Sequence, residues 1–108
     1  MQDTKNVTFS MIANEWLGSK KNEVKESSYS NYYYVIRKYL IVELGDDTLE
    51  NMESRNYNEY IDELAQELST KTVRDILVIL KSILEYANEN YGCHICRFAN
   101  CFLHIFAN

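Results

Sequence analysis

The stretch LSTKTVRDILVILKSILEYA, Leu68 to Ala87, decides the fold. Val73, Ile76, Leu77, Leu80, Ile83, Leu84 and Ala87 recur at intervals of three and four, a stripe down one side of a helix with about 3.6 residues per turn. A half-buried strand would alternate at every second residue, and this stretch does not. Ser69 precedes the stripe and is the expected N-cap, because its hydroxyl can accept from the free N–H groups of a first turn. The helix is expected to run to about Asn90.

The same period continues upstream. A helix is expected from about Arg55 to Leu68, capped by Ser54, with Tyr57, Ile61, Leu64, Ala65 and Leu68 facing inward. Before it, Ser27 to about Val42 reads as a helix with Tyr29, Tyr33, Ile36 and Leu40 as its inner stripe and Tyr32 alongside. Gly45 then begins a loop with Asp46-Asp47-Thr48, which Leu49 and Met52 fold onto the core. The first helix is expected from Thr8, its N-cap, to Ser19, with Phe9, Ile12, Ala13, Trp16 and Leu17 inward and Gly18 near its end. The chain has no proline and three glycines, which favours long helices over a turn-rich sheet protein. The expectation is an all-α fold, a compact four-helix bundle with short connections over residues 7–92. Residues 1–6 are expected to be a flexible tail and 93–108 a separate cysteine-containing tail.

At 108 residues, 46% hydrophobic and 25% charged, the chain has room for one globular domain. No apolar run approaches the roughly 18–20 residues of a membrane helix. Met1-Gln2-Asp3-Thr4-Lys5-Asn6 is polar and does not resemble a signal peptide, so a cytoplasmic location is expected. The three cysteines all follow residue 92, so no disulfide framework staples the body of the chain.

The formal net charge of −5 argues against nucleic acid, but the charge is segregated. Residues 42–68 hold nine acids against the lone base Arg55, a net −8. Residues 19–38 hold Lys20, Lys21, Lys25, Arg37 and Lys38 against Glu23 and Glu26, a net +3. Residues 69–84 hold Lys71, Arg74 and Lys81 against Asp75, a net +2. A phosphate backbone responds to a local basic face more than to the sum.

At about 100° per residue, Ser27, Asn31, Tyr34 and Lys38 lie opposite the apolar stripe of the second helix. Small polar groups, a phenol and a cation suit contact with phosphates and base edges. The fourth helix carries Lys71, Arg74, Val78 and Lys81 outward, and its start, Ser69-Thr70-Lys71-Thr72, offers N–H groups and hydroxyls as a phosphate seat. Every water-exposed helix needs a polar face, so these stripes also fit an ordinary solvated surface. The nine tyrosines raise the question of a nucleophile, which would need cations gathered around a phosphate. Most lie on inward stripes and read as core residues with an outward hydroxyl. Glycine-rich phosphate loops and serine nucleophile motifs are absent.

Cys93, Cys96, Cys101 and His104 form C-x2-C-x4-C-x2-H, residue types that zinc accepts. Ile95, Phe98, Phe102, Leu103, Ile105 and Phe106 fill the gaps, where small metal loops are usually polar. The segment therefore reads as a hydrophobic tail, and no metal and no cofactor is expected.

Residues from about 7 to 92 resemble the SAM-like N-terminal core-binding domain of tyrosine recombinases, the phage-integrase family. TFSMIANEWL (Thr8–Leu17) is similar to the opening helix of such domains. VKESSYSNYYYVIRKYLIVELGDDTLENM (Val24–Met52) is similar to their second helix and exit loop, with the Lys, Ser-Ser-Tyr, a later aromatic, Leu-Gly and Leu in order. LSTKTVRDILVILKSILEYA is similar to the fourth helix. Many relatives carry a proline just before the Leu-Gly, where this chain has Val42 and Glu43, and an Asn-Pro after the fourth helix, where it has none.

The resemblance implies a non-catalytic domain that grips recombination-site DNA as half of a clamp. The second and fourth helices would lie on double-stranded DNA and the acidic third would face away. The family's catalytic arginines, histidine or lysine, and nucleophilic tyrosine belong to a second domain, so no catalytic residue is carried over. The implied DNA-binding residues are Lys25, Ser27, Ser28, Asn31, Tyr34, Lys38, Ser69, Thr70, Lys71, Thr72, Arg74 and Lys81. The whole protein would be a site-specific recombinase or integrase of a mobile element, partnered by DNA and by its own catalytic domain, with no membrane contact and a monomeric isolated domain. Other readings are a helical protein–protein module, which the net charge would suit, and a small metal-binding regulator using the cysteine tail.

Overall fold

The N-terminus of the first helix shows how the chain is closed on itself. Helix α1 (Phe9–Lys20) opens with Thr8 in extended conformation, its hydroxyl accepting from the Met11 N–H at 3.4 Å. Two more first-turn donors are met from a distant loop: Phe9 N–H donates to the Asp47 carbonyl at 2.8 Å and Ser10 N–H to the Gly45 carbonyl at 3.1 Å. Gly45 is fixed by crowding, since a β-carbon there would lie 2.5 Å from the Ile41 carbonyl oxygen. An isolated antiparallel bridge, Thr8 to Thr48, completes the closure.

The structure is a computed structural model and describes residues 7–54 and 57–92. The expected tail 1–6, Arg55 and the Cys93, Cys96, Cys101 and His104 segment lie outside the described residues. The fold is all-α, with an element order of α1, α2 (Glu26–Val35), a π turn (Ile36–Leu40), α3 (Ile41–Leu44), α4 (Leu49–Ser54), α5 (Tyr57–Glu67) and α6 (Thr70–Tyr91). Elements α2, the π turn and α3 run on without a break, so residues 26–44 form the expected second helix. No helix among the described residues is long and apolar enough to cross a membrane.

Helix α6 is the spine. Val73, Ile76, Leu77, Leu80, Ile83, Leu84 and Ala87 are buried as their spacing requires, joined by Ile79. Ser69 caps it, accepting from the Thr72 N–H at 3.3 Å, and Gly92 ends it in the left-handed region at φ 69°. Helices α1 and α5 and the π turn pack on it, and the core gathers Phe9, Ile12, Ile36, Leu40, Met52 and Ile61. Burial of each such side chain contributes about 1.5–3 kcal/mol relative to exposure.

Several local expectations change. Helix α1 continues through Gly18 to Lys20. The segment holding Leu49 and Met52 is a helix, α4, with Thr48 accepting from the Asn51 N–H at 3.3 Å, rather than a tucked loop. Ser54 ends α4, donating to the Glu50 and Asn51 carbonyls, and its expected role as cap of the next helix involves residues 55 and 56, which lie outside the described residues. Ala65 is exposed because the buried line of α5 runs through Tyr57, Tyr60, Ile61 and Leu64. Tyr33 is also outside, 45% exposed, and Val35 is inside. The π turn explains both: its extra residue rotates the inward line by about 100°. Leu40 and Leu44 then share a face with Tyr32, Val35 and Ile36, and Tyr33 is released to the surface.

Candidate nucleic-acid interface

The second helix carries its polar groups where the spacing places them. Ser27, Asn31, Tyr34 and Lys38 are all exposed, Ser28 is half-buried, and Lys25 stands exposed ahead of α2 in extended conformation. The buried side of the run is held by Trp16, whose ring lies 5.2 Å from that of Tyr32 at a tilt of 53°. The other side therefore faces outward.

At the π turn the geometry sharpens. The Ile41 N–H donates five residues back to the Ile36 carbonyl, widening the coil. Tyr60 on α5 reaches across and donates its hydroxyl to the Tyr39 carbonyl at 3.0 Å. On the outer side Lys38 donates to the Tyr34 hydroxyl oxygen at 2.8 Å and stands 5.3 Å from the Tyr34 ring and 5.5 Å from the Tyr39 ring. The Tyr34 hydroxyl, and then the electrostatics of Tyr34 and Tyr39, raise the Lys38 ammonium above the ordinary lysine value, so it stays charged at neutral pH. Arg37 lies 5.0 Å from the Tyr33 ring. Among the described residues, neither Arg37 nor Lys38 is paired with a carboxylate.

The expected groups of the fourth helix sit at the start and along one flank of α6. Thr70, Lys71 and Lys81 are exposed and Arg74 is half-buried, with Val78 exposed between them. Ser69 and Thr72 are committed to the cap, their hydroxyl oxygens 3.0 Å apart. The structure joins Tyr34 to Lys38 directly, while the α6 residues stand on a separate helix. Arg37, Tyr33 and Tyr39 were not legible as site residues, because a straight α-helix turns Tyr33 toward the core and Arg37 beside it.

The acidic residues occupy the opposite kind of surface. Glu59, Asp62, Glu63 and Glu67 are exposed on α5. An open groove of about 290 Å³ separates Lys38 and Val42 from Glu63 and Glu67, so the acidic face begins beside the cation pair. Of the nine tyrosines, Tyr57 and Tyr60 are buried and hydrogen-bonded to carbonyls, and Tyr86 and Tyr91 donate to the Glu15 carboxylate. No group of three or more potential metal ligands occurs among the described residues.

Residues 8–65 match the family described as phage integrase, N-terminal SAM-like domain. The match takes in α1, the whole second helix, α4 and most of α5, and it stops before α6. No curated protein and no solved structure matches the chain.

Proposed function

The chain belongs to the family of phage integrase N-terminal SAM-like domains, and from that premise we propose that it grips double-stranded DNA as the non-catalytic half of a clamp in a tyrosine recombinase. The observation that carries this reading is the outer side of the second helix, where Arg37 and Lys38 rest on tyrosines and, among the described residues, pair with no carboxylate. A solvated face would more often spend such cations on nearby carboxylates. Here Glu43 on the second helix and Glu63 and Glu67 on α5 line the groove beside Lys38, yet none of them pairs with either cation.

In this reading Lys25, Lys38, Lys71, Arg74 and Lys81 neutralise phosphates. Ser27, Ser28, Tyr34 and Thr70 add hydroxyl or N–H contacts that fix register, and Ser69 and Thr72 serve through the cap that holds the first turn of α6 toward the DNA backbone. Asn31, exposed on the same helix, would read a base edge. The catalytic arginines and the nucleophilic tyrosine are supplied by a second domain of the full protein. That protein recombines or integrates the DNA of a mobile element in the cytoplasm. The overall negative charge makes this half of the clamp a weak binder alone.

Titrating the isotope-labelled chain with a 20-base-pair duplex tests the reading. Amide shifts should concentrate at Lys25–Lys38 and Ser69–Lys81. Shifts confined to α5, or none, would reject it in favour of a protein–protein module.

A further inference from the structure

Two adjacent cations at the π turn are held by rings. Arg37 lies over Tyr33 at 5.0 Å, and Lys38 is wedged between Tyr34 and Tyr39, hydrogen-bonded to the Tyr34 hydroxyl at 2.8 Å. Tyr39 stands edge-on to Tyr34, with centroids 6.4 Å apart and planes at 84°. Tyr33 and Tyr34 are 45% and 52% exposed, so both rings are open to a ligand on this helix face.

A long cationic side chain in water samples many rotamers and loses that freedom when it settles on a phosphate. A carboxylate neighbour would restrain it beforehand but would also cancel its charge. An aromatic ring restrains it and leaves the charge in place, because the attraction is to the quadrupole of the ring. We propose that Tyr33–Arg37 and Tyr34–Lys38–Tyr39 are two side-by-side, pre-set phosphate grips that take neighbouring phosphates of one DNA strand. Arg37 and Lys38 make the contacts. Tyr33 and Tyr39 are positioning residues. Tyr34 positions Lys38 and, when the ammonium turns to the phosphate, donates its own hydroxyl to the same oxygens. The grips read no sequence, since a phosphate carries none. The proposal rests on the DNA-binding reading and adds Arg37, Tyr33 and Tyr39 to it.

The test separates contact from positioning. Binding of the full chain to a 20-base-pair duplex is followed by fluorescence anisotropy over a salt series, with helicity checked by circular dichroism. Arg37→Ala and Lys38→Ala should each lower the slope of log K against log salt by roughly one unit. Tyr33→Leu and Tyr34→Leu should weaken binding severalfold while leaving the slope at the wild-type value, because the cation still meets its phosphate. Tyr34→Phe, which keeps the ring, should weaken binding less than Tyr34→Leu. Tyrosine variants that bind like wild type, or cation variants with an unchanged slope, would overturn the grips while leaving DNA binding by the domain intact. A wild-type chain that binds no duplex would remove both.

Discussion

The Tyr60 hydroxyl donates to the Tyr39 carbonyl at 3.0 Å, at the π turn in the middle of the second helix. A π turn breaks the regular i to i−4 ladder, and a buried carbonyl without a donor is costly. Tyr60 is buried, so this bond anchors the turn from inside the core. Replacing Tyr60 with Phe should destabilise the domain by about 0.5–1.5 kcal/mol in urea unfolding. It should also move the amide resonances of Tyr33 to Lys38. A variant as stable as wild type, with those resonances unmoved, would show that the turn stands without Tyr60.

Gly45 supports a second prediction. Its carbonyl receives the Ser10 N–H, and a β-carbon there would meet the Ile41 carbonyl oxygen at 2.5 Å. Backbone must shift to admit one, so Gly45→Ala should cost about 1–3 kcal/mol, in the range of overpacked sites. Gly18→Ala, with open space around its β-carbon inside α1, should be neutral or mildly stabilising. Equal stabilities for the two variants would refute the steric argument.

Glu15 ties the last turns of α6 to α1. The Tyr91 hydroxyl lies 2.6 and 2.8 Å from its two carboxylate oxygens and that of Tyr86 3.3 Å from one. The hydrogen bond to Glu15, with burial and the carboxylate charge behind it, pushes the Tyr91 phenol from 10.0 up to about 12. The folded state therefore holds this proton where the unfolded chain has lost it. The resulting stabilisation is complete below pH 10 and disappears as pH rises to about 12. Urea midpoints measured between these limits should fall with pH in the wild type and fall less in Tyr91→Phe. Identical profiles would mean that the contact does not persist in solution.

Helices α1 and α6 were legible because their buried residues repeat at the helical period and Thr8 and Ser69 are residue types that cap. The π turn was not. Ile36-Arg37-Lys38-Tyr39-Leu40 reads as ordinary α-helix, and its anchor Tyr60 stands 21 residues away. From a straight helix Tyr33 falls inward, so the Tyr33–Arg37 pair was out of reach of any periodicity argument. Helix α4 reads as a loop in the sequence because Leu49 and Met52 provide a single turn of signal. The exposed placement of Asn31, Tyr34 and Lys38 follows from spacing alone, whereas the bond that joins Tyr34 to Lys38 depends on side-chain conformation, which spacing does not give.

The acidic face should oppose DNA binding. Glu63 and Glu67 line the same open groove as Lys38, and charges within roughly 8 Å of each other interact at physiological salt. Replacing both with glutamine should strengthen duplex binding modestly, by a factor of roughly two to five, and most at low salt, as removal of nearby like charges to the phosphates requires. Weaker binding by this variant would place α5 in the interface and reverse the assigned orientation.

The central claim is that the domain holds duplex DNA through the second helix and α6. Fluorescence anisotropy of the chain with a duplex, over a salt series, tests it most directly. The wild type should bind weakly, with log K falling linearly as log salt rises. Lys71→Ala, Arg74→Ala and Lys81→Ala combined should cut affinity and lower the slope by up to roughly three units, about one per lost phosphate contact, at unchanged helicity. A triple variant with wild-type affinity and slope would make that flank of α6 an ordinary solvated face and contradict the claim.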